Sequence, residues 1–101
     1  MAYQLKLLGQ VEKQLRRLPH SEGERMVEAM RSLRLDPRPE GCVHLEDKLY
    51  RIRVGRYRVI YAVFDAEVVV LICRVAGRTE ATYRQLRSLL RRARRSLHQG
   101  R

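Results

Sequence analysis

The segment Tyr50–Tyr61 (YRIRVGRYRVIY) carries the strongest structural signal in this chain. Residues with high strand propensity flank Gly55, so the segment predicts two strands joined by a tight turn. Side chains alternate between the faces of a strand, which puts Arg51 and Arg53 on one face, and a hairpin would bring Arg58 to them. The segment has four arginines and no acidic residue. We therefore expect a ribbon that binds an anionic partner.

Further runs extend this hairpin into a small sheet. Val68–Val75 (VVVLICRV) is almost wholly apolar, which is typical of a central strand covered on both faces. Short connections predict a three-strand antiparallel meander over residues 49–54, 57–64 and 68–75. A loop or short strand around Val43–Leu45 precedes it. Tyr3–Leu8 predicts an additional strand near the start of the chain.

Apolar residues at helical spacing predict two short antiparallel helices between the first strand and the meander. The first helix begins near Gly9 and is ended by Pro19. The second has its apolar face in Met26–Leu33, and Ser21 with Glu24 has the spacing of a capping box at its start. Helices grouped near the start of the chain and followed by a meander predict the α+β class.

The C-terminal segment 84–101 predicts a basic amphipathic helix. Its leucines keep helical spacing, arginines fill most other positions, and no acidic residue follows Glu80. Three interpretations are open: a packed helix with a solvated arginine face, a face that contacts phosphates, or an apolar stripe that a partner covers or displaces.

The composition indicates one folded domain, residues 1–101, with an anionic partner. The net charge is +11, which suits a nucleic acid, an acidic protein or a lipid surface, and charge alone does not choose among them. The hydrophobic fraction of 45% is too high for a disordered basic tail.

The sequence has no signature of a metal site, a cofactor or a membrane span. Cys42 and Cys73 lack metal-ligand spacing, and free thiols indicate a reducing, cytoplasmic location. No apolar run approaches the roughly 18 residues that cross a bilayer. Phosphate-loop, HExxH and serine–histidine–acid signatures are missing, so we expect neither a metal nor a cofactor.

With Gly77-Arg78 and Tyr83 following the apolar strand, the YRIRVGRYRVIY pattern resembles the RelE/ParE superfamily of type II toxin–antitoxin toxins, and its RelE branch in particular. The first strand, the paired helices, the DPRP loop at 36–39 and Leu45 before the ribbon also fit. The resemblance covers nearly the whole chain and implies the RelE-like α+β fold.

This resemblance implies a ribosome-dependent messenger RNA endoribonuclease that needs no metal. In such an enzyme the ribose 2′-hydroxyl attacks the adjacent phosphate and a cyclic phosphate is left. Arg51 and Arg53 stand where the family has paired basic residues on the strand. With Arg56 at the turn, they would form the set that binds RNA phosphates.

The catalytic residues that the resemblance implies are Arg58, Arg78 and Tyr83. Arg58 and Arg78 would clamp the scissile phosphate, and Tyr83 would stack on a base or take part in proton transfer. The paired strand positions hold arginine, which effectively cannot lose its proton, so neither of them can serve as the general base.

Two other functions stay open by the same resemblance: a ParE-like inhibitor of DNA gyrase, and an inactive homologue that only binds RNA or the ribosome. All three imply a small acidic, RelB-like antitoxin in a hetero-oligomer, and the first implies the ribosome and messenger RNA as further partners. The helix Leu86–Leu97 is expected to cover or border the active face and to move when the antitoxin binds.

Overall fold

A mixed five-stranded sheet forms the centre of the computed structural model, which describes residues 2–77 and 83–98. The strands are β1 (Gln4–Leu7), β2 (Val43–Glu46), β3 (Leu49–Val54), β4 (Tyr57–Phe64) and β5 (Val69–Gly77). The helices are α1 (Gly9–Arg16), α2 (His20–Ser32) and α3 (Leu86–His98). The strands lie side by side in the order β1-β5-β4-β3-β2.

The predicted α+β class and antiparallel meander are confirmed, and the sheet is larger than the meander. β3, β4 and β5 pair antiparallel, and β2 adds a fourth antiparallel strand beside β3. β1 pairs with β5 in parallel, which makes the sheet mixed. Parallel neighbours need a long crossover, and the chain between these two strands includes both N-terminal helices.

Side chains of α1 complete the hydrogen bonding of β5 beyond the end of β1. The Nε2 of Gln10 donates to the carbonyl oxygen of Cys73 at 2.8 Å, and the backbone N–H of Val75 donates to the Oε1 of Gln14 at 2.8 Å. Buried backbone groups left unpaired would be costly, so two glutamines one helical turn apart fix α1 against this edge.

Helices cover both faces of the sheet. Tyr57 and Phe64 lie an odd number of positions apart on β4, so they point to opposite faces. The hydroxyl of Tyr57 donates to Glu22 of α2 at 2.8 Å, and Phe64 lines a cavity with Leu97 of α3. The buried residues of the three helices include Val11, Met26, Met30, Leu89, Leu90 and Ala93.

The capping box predicted at the start of α2 is wrong. The helix already begins at His20, and Pro19 precedes it without a side-chain cap hydrogen bond. Ser21 therefore lies inside the first turn. The backbone N–H of Gly23 donates to the carbonyl of Pro19, and His20 contacts Glu24 at 3.4 Å instead.

Two predicted boundaries move because a residue has a positive φ angle. Val68 has φ of +58°, which strand geometry does not allow, so β5 begins at Val69. Gln85 has φ of +60°, so the basic helix predicted for 84–101 begins at Leu86. Residues 99–101 lie outside the described residues.

Within the described ranges, no helix is both long and apolar enough to cross a membrane.

An ion-pair network joins the loop after α2 to the β4–β5 turn. Arg38 donates twice to Asp65, at 2.7 and 3.3 Å, and once to the hydroxyl of Tyr50 at 2.9 Å. The hydroxyl of Tyr3 donates to the same Asp65 carboxylate at 2.7 Å. The network thus connects four segments that are distant in sequence.

We predict that Asp65→Asn lowers the free energy of unfolding at neutral pH by at most about 1 kcal/mol, because both partners of the pair are half-exposed. The hydrogen bonds from Arg38 and then Tyr3 lower the pKa of Asp65 below its ordinary value of 3.8. A carboxylate whose pKa is lower in the folded state than in the unfolded state stabilises the fold at pH values above its unfolded-state pKa. This contribution disappears as the pH falls through the folded-state pKa.

Urea unfolding of both proteins across this pH range measures the difference. The difference in the free energy of unfolding should shrink towards zero at pH values well below the ordinary pKa of an aspartate. A difference that stays constant at every pH would contradict the role given to the Asp65 carboxylate.

Candidate anion-binding site

The β3–β4 hairpin brings three arginines together on one face of the sheet. Gly55 has φ of +61° and, with Arg56, forms a two-residue loop of the kind that favours glycine. The register places Arg53 directly opposite Arg58, and Arg51 opposite Ile60. The predicted convergence is therefore confirmed, and we call Arg51, Arg53 and Arg58 the arginine cluster.

The arginine cluster has no compensating negative charge among the residues that the structure describes. No acidic side chain there forms an ion pair with any of its members. Like charges directly opposite each other on neighbouring strands destabilise a sheet. The Nε atoms of Arg51 and Arg58 are also buried without a hydrogen-bond partner in the described chain, which adds a desolvation cost. A bound anion would relieve both costs.

A shallow pocket adjoins the cluster at the turn. It has a volume of about 100 Å³ and is lined by Arg53, Gly55, Arg56, Tyr57 and Arg58. Guanidinium groups hold phosphate through paired, charge-assisted hydrogen bonds, and a pocket walled by two unneutralised arginines suits such a group.

Arg56, which the sequence assigned to the phosphate-binding set, has its guanidinium engaged on the α2 side of the turn. It donates to Glu22 at 3.3 Å and lies 5.4 Å from the ring centre of Tyr57. Tyr57 first and Glu22 second raise the pKa of Arg56. Arg56 also lines the pocket, and its charge is partly neutralised by Glu22.

Arg74 joins the same face, although the sequence did not place it in the site. Strict alternation along β5 would put it on the face of Ile72, towards the N-terminal helices. The register between β4 and β5 shifts by one residue, so that Ile72 pairs with Tyr61 while Arg74 pairs with Ile60. This bulge turns Arg74 to the side of the arginine cluster, and a one-residue bulge has no reliable signal in the sequence.

Arg74 is half-buried beside the start of the basic helix. Its guanidinium donates to the carbonyl oxygen of Arg84 at 2.9 Å. Burial first, and the charge of Arg92 second, lower the pKa of Arg74 from its ordinary value. This shift is the expected response of a cation in a positive environment.

Of the two remaining predicted site residues, the structure describes Tyr83 but not Arg78. Tyr83 is exposed and directly precedes Arg84, so the Arg74 contact fixes the backbone next to it. Arg78 follows β5 in the chain and lies outside the described residues. Within them, no three histidine, cysteine, aspartate or glutamate side chains are grouped to hold a metal ion.

Known toxins match this chain over most of its length. The family model for the ParE toxin of the type II toxin–antitoxin system parDE matches residues 5–82. The protein named as toxin RelE1 of Methanocaldococcus jannaschii is 27% identical over 86 residues, which cover 80% of this chain and 96% of that protein.

Solved structures of toxin–antitoxin complexes contain the same fold. A chain of the archaeal RelE–RelB complex from Pyrococcus horikoshii is 35% identical with a TM-score of 0.73, over 80% of this chain and 100% of that one. A chain of the intact Escherichia coli RelBE complex is 26% identical with a TM-score of 0.68, over 78% and 100%. The family match and these similarities agree with the resemblance seen in the sequence, and the chain belongs to the RelE/ParE superfamily of type II toxin–antitoxin toxins.

Proposed function

We propose that this RelE-type toxin is a ribosome-dependent messenger RNA endoribonuclease. The observation that carries the proposal is the arginine cluster: three cations converge beside a pocket, two of them have a buried Nε without a partner, and no described acid neutralises them. The negative charge of a bound phosphate would offset the repulsion among these arginines, and this favours phosphate binding.

The cluster suits a reaction in which negative charge grows on phosphorus-bound oxygens. The ribose 2′-oxygen loses its proton and bonds to the adjacent phosphorus. The bond from phosphorus to the 5′-oxygen breaks, that oxygen gains a proton, and a 2′,3′-cyclic phosphate remains. Arg58 and Arg51 would stabilise the extra negative charge in the transition state, and Arg53 would bind a phosphate of the RNA strand.

Proton transfer requires a group other than the cluster. Arginine stays protonated in proteins, so the three guanidinium groups act only as charge and hydrogen-bond donors. Tyr83 is exposed one residue before the Arg74–Arg84 contact, and it is the residue that we assign to proton transfer or base stacking. Arg78 completes the phosphate clamp in this proposal.

An acidic antitoxin is the partner that we assign to this toxin. The matched chains come from complexes named as RelE–RelB and RelBE, and the chain itself has a net charge of +11. α3 borders the cluster face, since Arg74 contacts Arg84 just before it, and we expect it to shift when the antitoxin binds.

Inhibition of DNA gyrase is the second candidate, because the matching family model is that of the ParE toxin. The two candidate functions differ in whether they require the arginine cluster. Phosphodiester cleavage needs these guanidinium groups in the transition state, whereas gyrase poisoning needs no RNA-cutting set. Growth arrest with gyrase-linked DNA breaks and intact translated messages would favour the second.

We predict that Arg58→Ala lowers cleavage of ribosome-bound messenger RNA by about 100-fold or more, because it removes a donor to the developing charge. Arg78→Ala should have a comparable effect. Induced expression followed by mapping of messenger RNA 5′ ends measures the cleavage, and Arg31→Ala on the exposed side of α2 is the matched control.

Codon-positioned cuts with the wild type and the control, but not with Arg58→Ala, are the expected result. Equal cleavage by Arg58→Ala and Arg31→Ala would refute the catalytic role. Binding to ribosomes without any cleavage by the wild type would identify an inactive homologue instead.

Tyr83→Phe tests the proton-transfer role separately. We predict slower cleavage with unchanged binding to ribosomes, because the ring is kept and the hydroxyl is lost. Single-turnover cleavage at saturating protein is the measurement. Full activity of Tyr83→Phe would exclude the hydroxyl from proton transfer and leave only stacking.

Arg53→Gln should stabilise the protein while it weakens RNA binding. Removing one of two directly opposed charges should raise the free energy of unfolding by about 0.2–1 kcal/mol. The gain should shrink at high salt, where exposed charges are screened. A variant less stable than the wild type would show that Arg53 contributes to folding and not to an anion site.

A further inference from the structure

The outer side of α3 carries a second set of unpaired arginines. The helix has five arginines, no lysine and no acidic residue. Arg87, Arg91 and Arg95 are spaced by four residues, so they follow one line along the exposed side at intervals of about 6 Å. We call these three residues the arginine stripe.

The other two helical arginines have a different, structural role. Arg92 donates to the Oε1 of Gln10 at 2.8 Å on one side of α3, and Arg94 pairs with Asp47 at 2.9 Å on the other. These contacts fix α3 to α1 on one side and to the β2–β3 turn on the other. The arginine stripe between them makes no ion pair or hydrogen bond with the described residues.

The stripe opposes the stability of its own helix. Like charges four residues apart destabilise a helix, and a cation near the first turn opposes the helix dipole. Arg87 lies in the first turn, where α3 has no acidic residue. A face needed only for solubility would be more stable with acids interspersed, so this pattern favours an anionic ligand.

The buried apolar side of α3 argues against a membrane, and the nearness of the stripe to the arginine cluster favours the RNA that the cluster would bind. Leu89, Leu90 and Ala93 are buried against the sheet, so α3 has no free apolar face to insert into lipid. Arg74 connects the arginine cluster to Arg84, directly before α3. The stripe therefore begins beside the face that carries the cluster, where an RNA strand held by the cluster would pass.

We propose that the arginine stripe binds the phosphates of an RNA strand that extends beyond the cleavage site. This deepens the proposed function and rests on it for the identity of the strand. The stripe contributes affinity and position and touches no reacting atom. Arginine suits the task because its planar fork pairs with phosphate oxygens, and the helical interval is close to the separation of successive phosphates.

The test compares two triple variants with equal net charge. Arg87→Gln/Arg91→Gln/Arg95→Gln removes the stripe, and Arg16→Gln/Arg17→Gln/Arg31→Gln removes three exposed arginines of the N-terminal helical pair. Each lowers the net charge from +11 by three. The probe is a short single-stranded RNA whose 2′-hydroxyls are methylated, so binding is measured without cleavage over a range of salt concentrations.

In a plot of the logarithm of the RNA-binding constant against the logarithm of the salt concentration, the slope for the stripe variant should be shallower by about 2. Each of the three lost phosphate contacts accounts for about 0.7 of this change. At about 0.1 M salt its affinity should fall roughly 100-fold, and the control should change much less. Cleavage of ribosome-bound message by the stripe variant should show a raised KM and an unchanged kcat.

Equal slopes for the two variants would overturn the proposal. So would an unchanged RNA slope together with weaker binding of polyglutamate, which would assign the stripe to an acidic protein. If the wild type cleaves no RNA and the slope still falls, the proposed function fails while the RNA contact stands. Should the stripe variant not fold by circular dichroism, Arg91→Gln alone should lower the slope by about 0.7.

Discussion

The register of the β3–β4 hairpin determines which side chains enter the core and which form the arginine cluster. A shift of one residue would turn every side chain to the opposite face, sending Arg51 and Arg53 into the core beneath α2. The loop at Gly55 and Arg56 sets the register, since the glycine adopts a positive φ that other residues resist. Charge on one face and apolar packing on the other both follow from this turn.

The fold separates its neutralised charges from its free ones. The described acids that pair with arginine pair with residues outside the cluster, in Arg38–Asp65, Arg56–Glu22 and Arg94–Asp47. These contacts fix loops and α3 to the sheet, while the cluster and the stripe stay without partners among the described residues. Apolar packing on both faces of β4 and β5 offsets the repulsion that remains. Stability and anion binding thus oppose each other at the same arginines.

Much of the fold could be predicted from the sequence because its signals are local. Alternation and one glycine predicted the hairpin and its three arginines, and the apolar run predicted the covered strand β5. The bulge that turns Arg74 towards the cluster depends on tertiary packing, as does the parallel pairing of β1. The positive φ angles of Val68 and Gln85 moved two element boundaries for the same reason. Roles of Arg78 and Tyr83 came only from the family resemblance.

The claim that the arginine cluster binds RNA can be tested by following the arginine Nε–Hε signals by NMR while a 2′-O-methylated RNA is added. We expect the signals of Arg51 and Arg58 to shift as the RNA binds, because their Nε atoms are buried and have no partner in the described chain. The signal of Arg38, which already donates through Nε to Tyr50, should stay unchanged. RNA that binds without shifting either cluster arginine would contradict the claim.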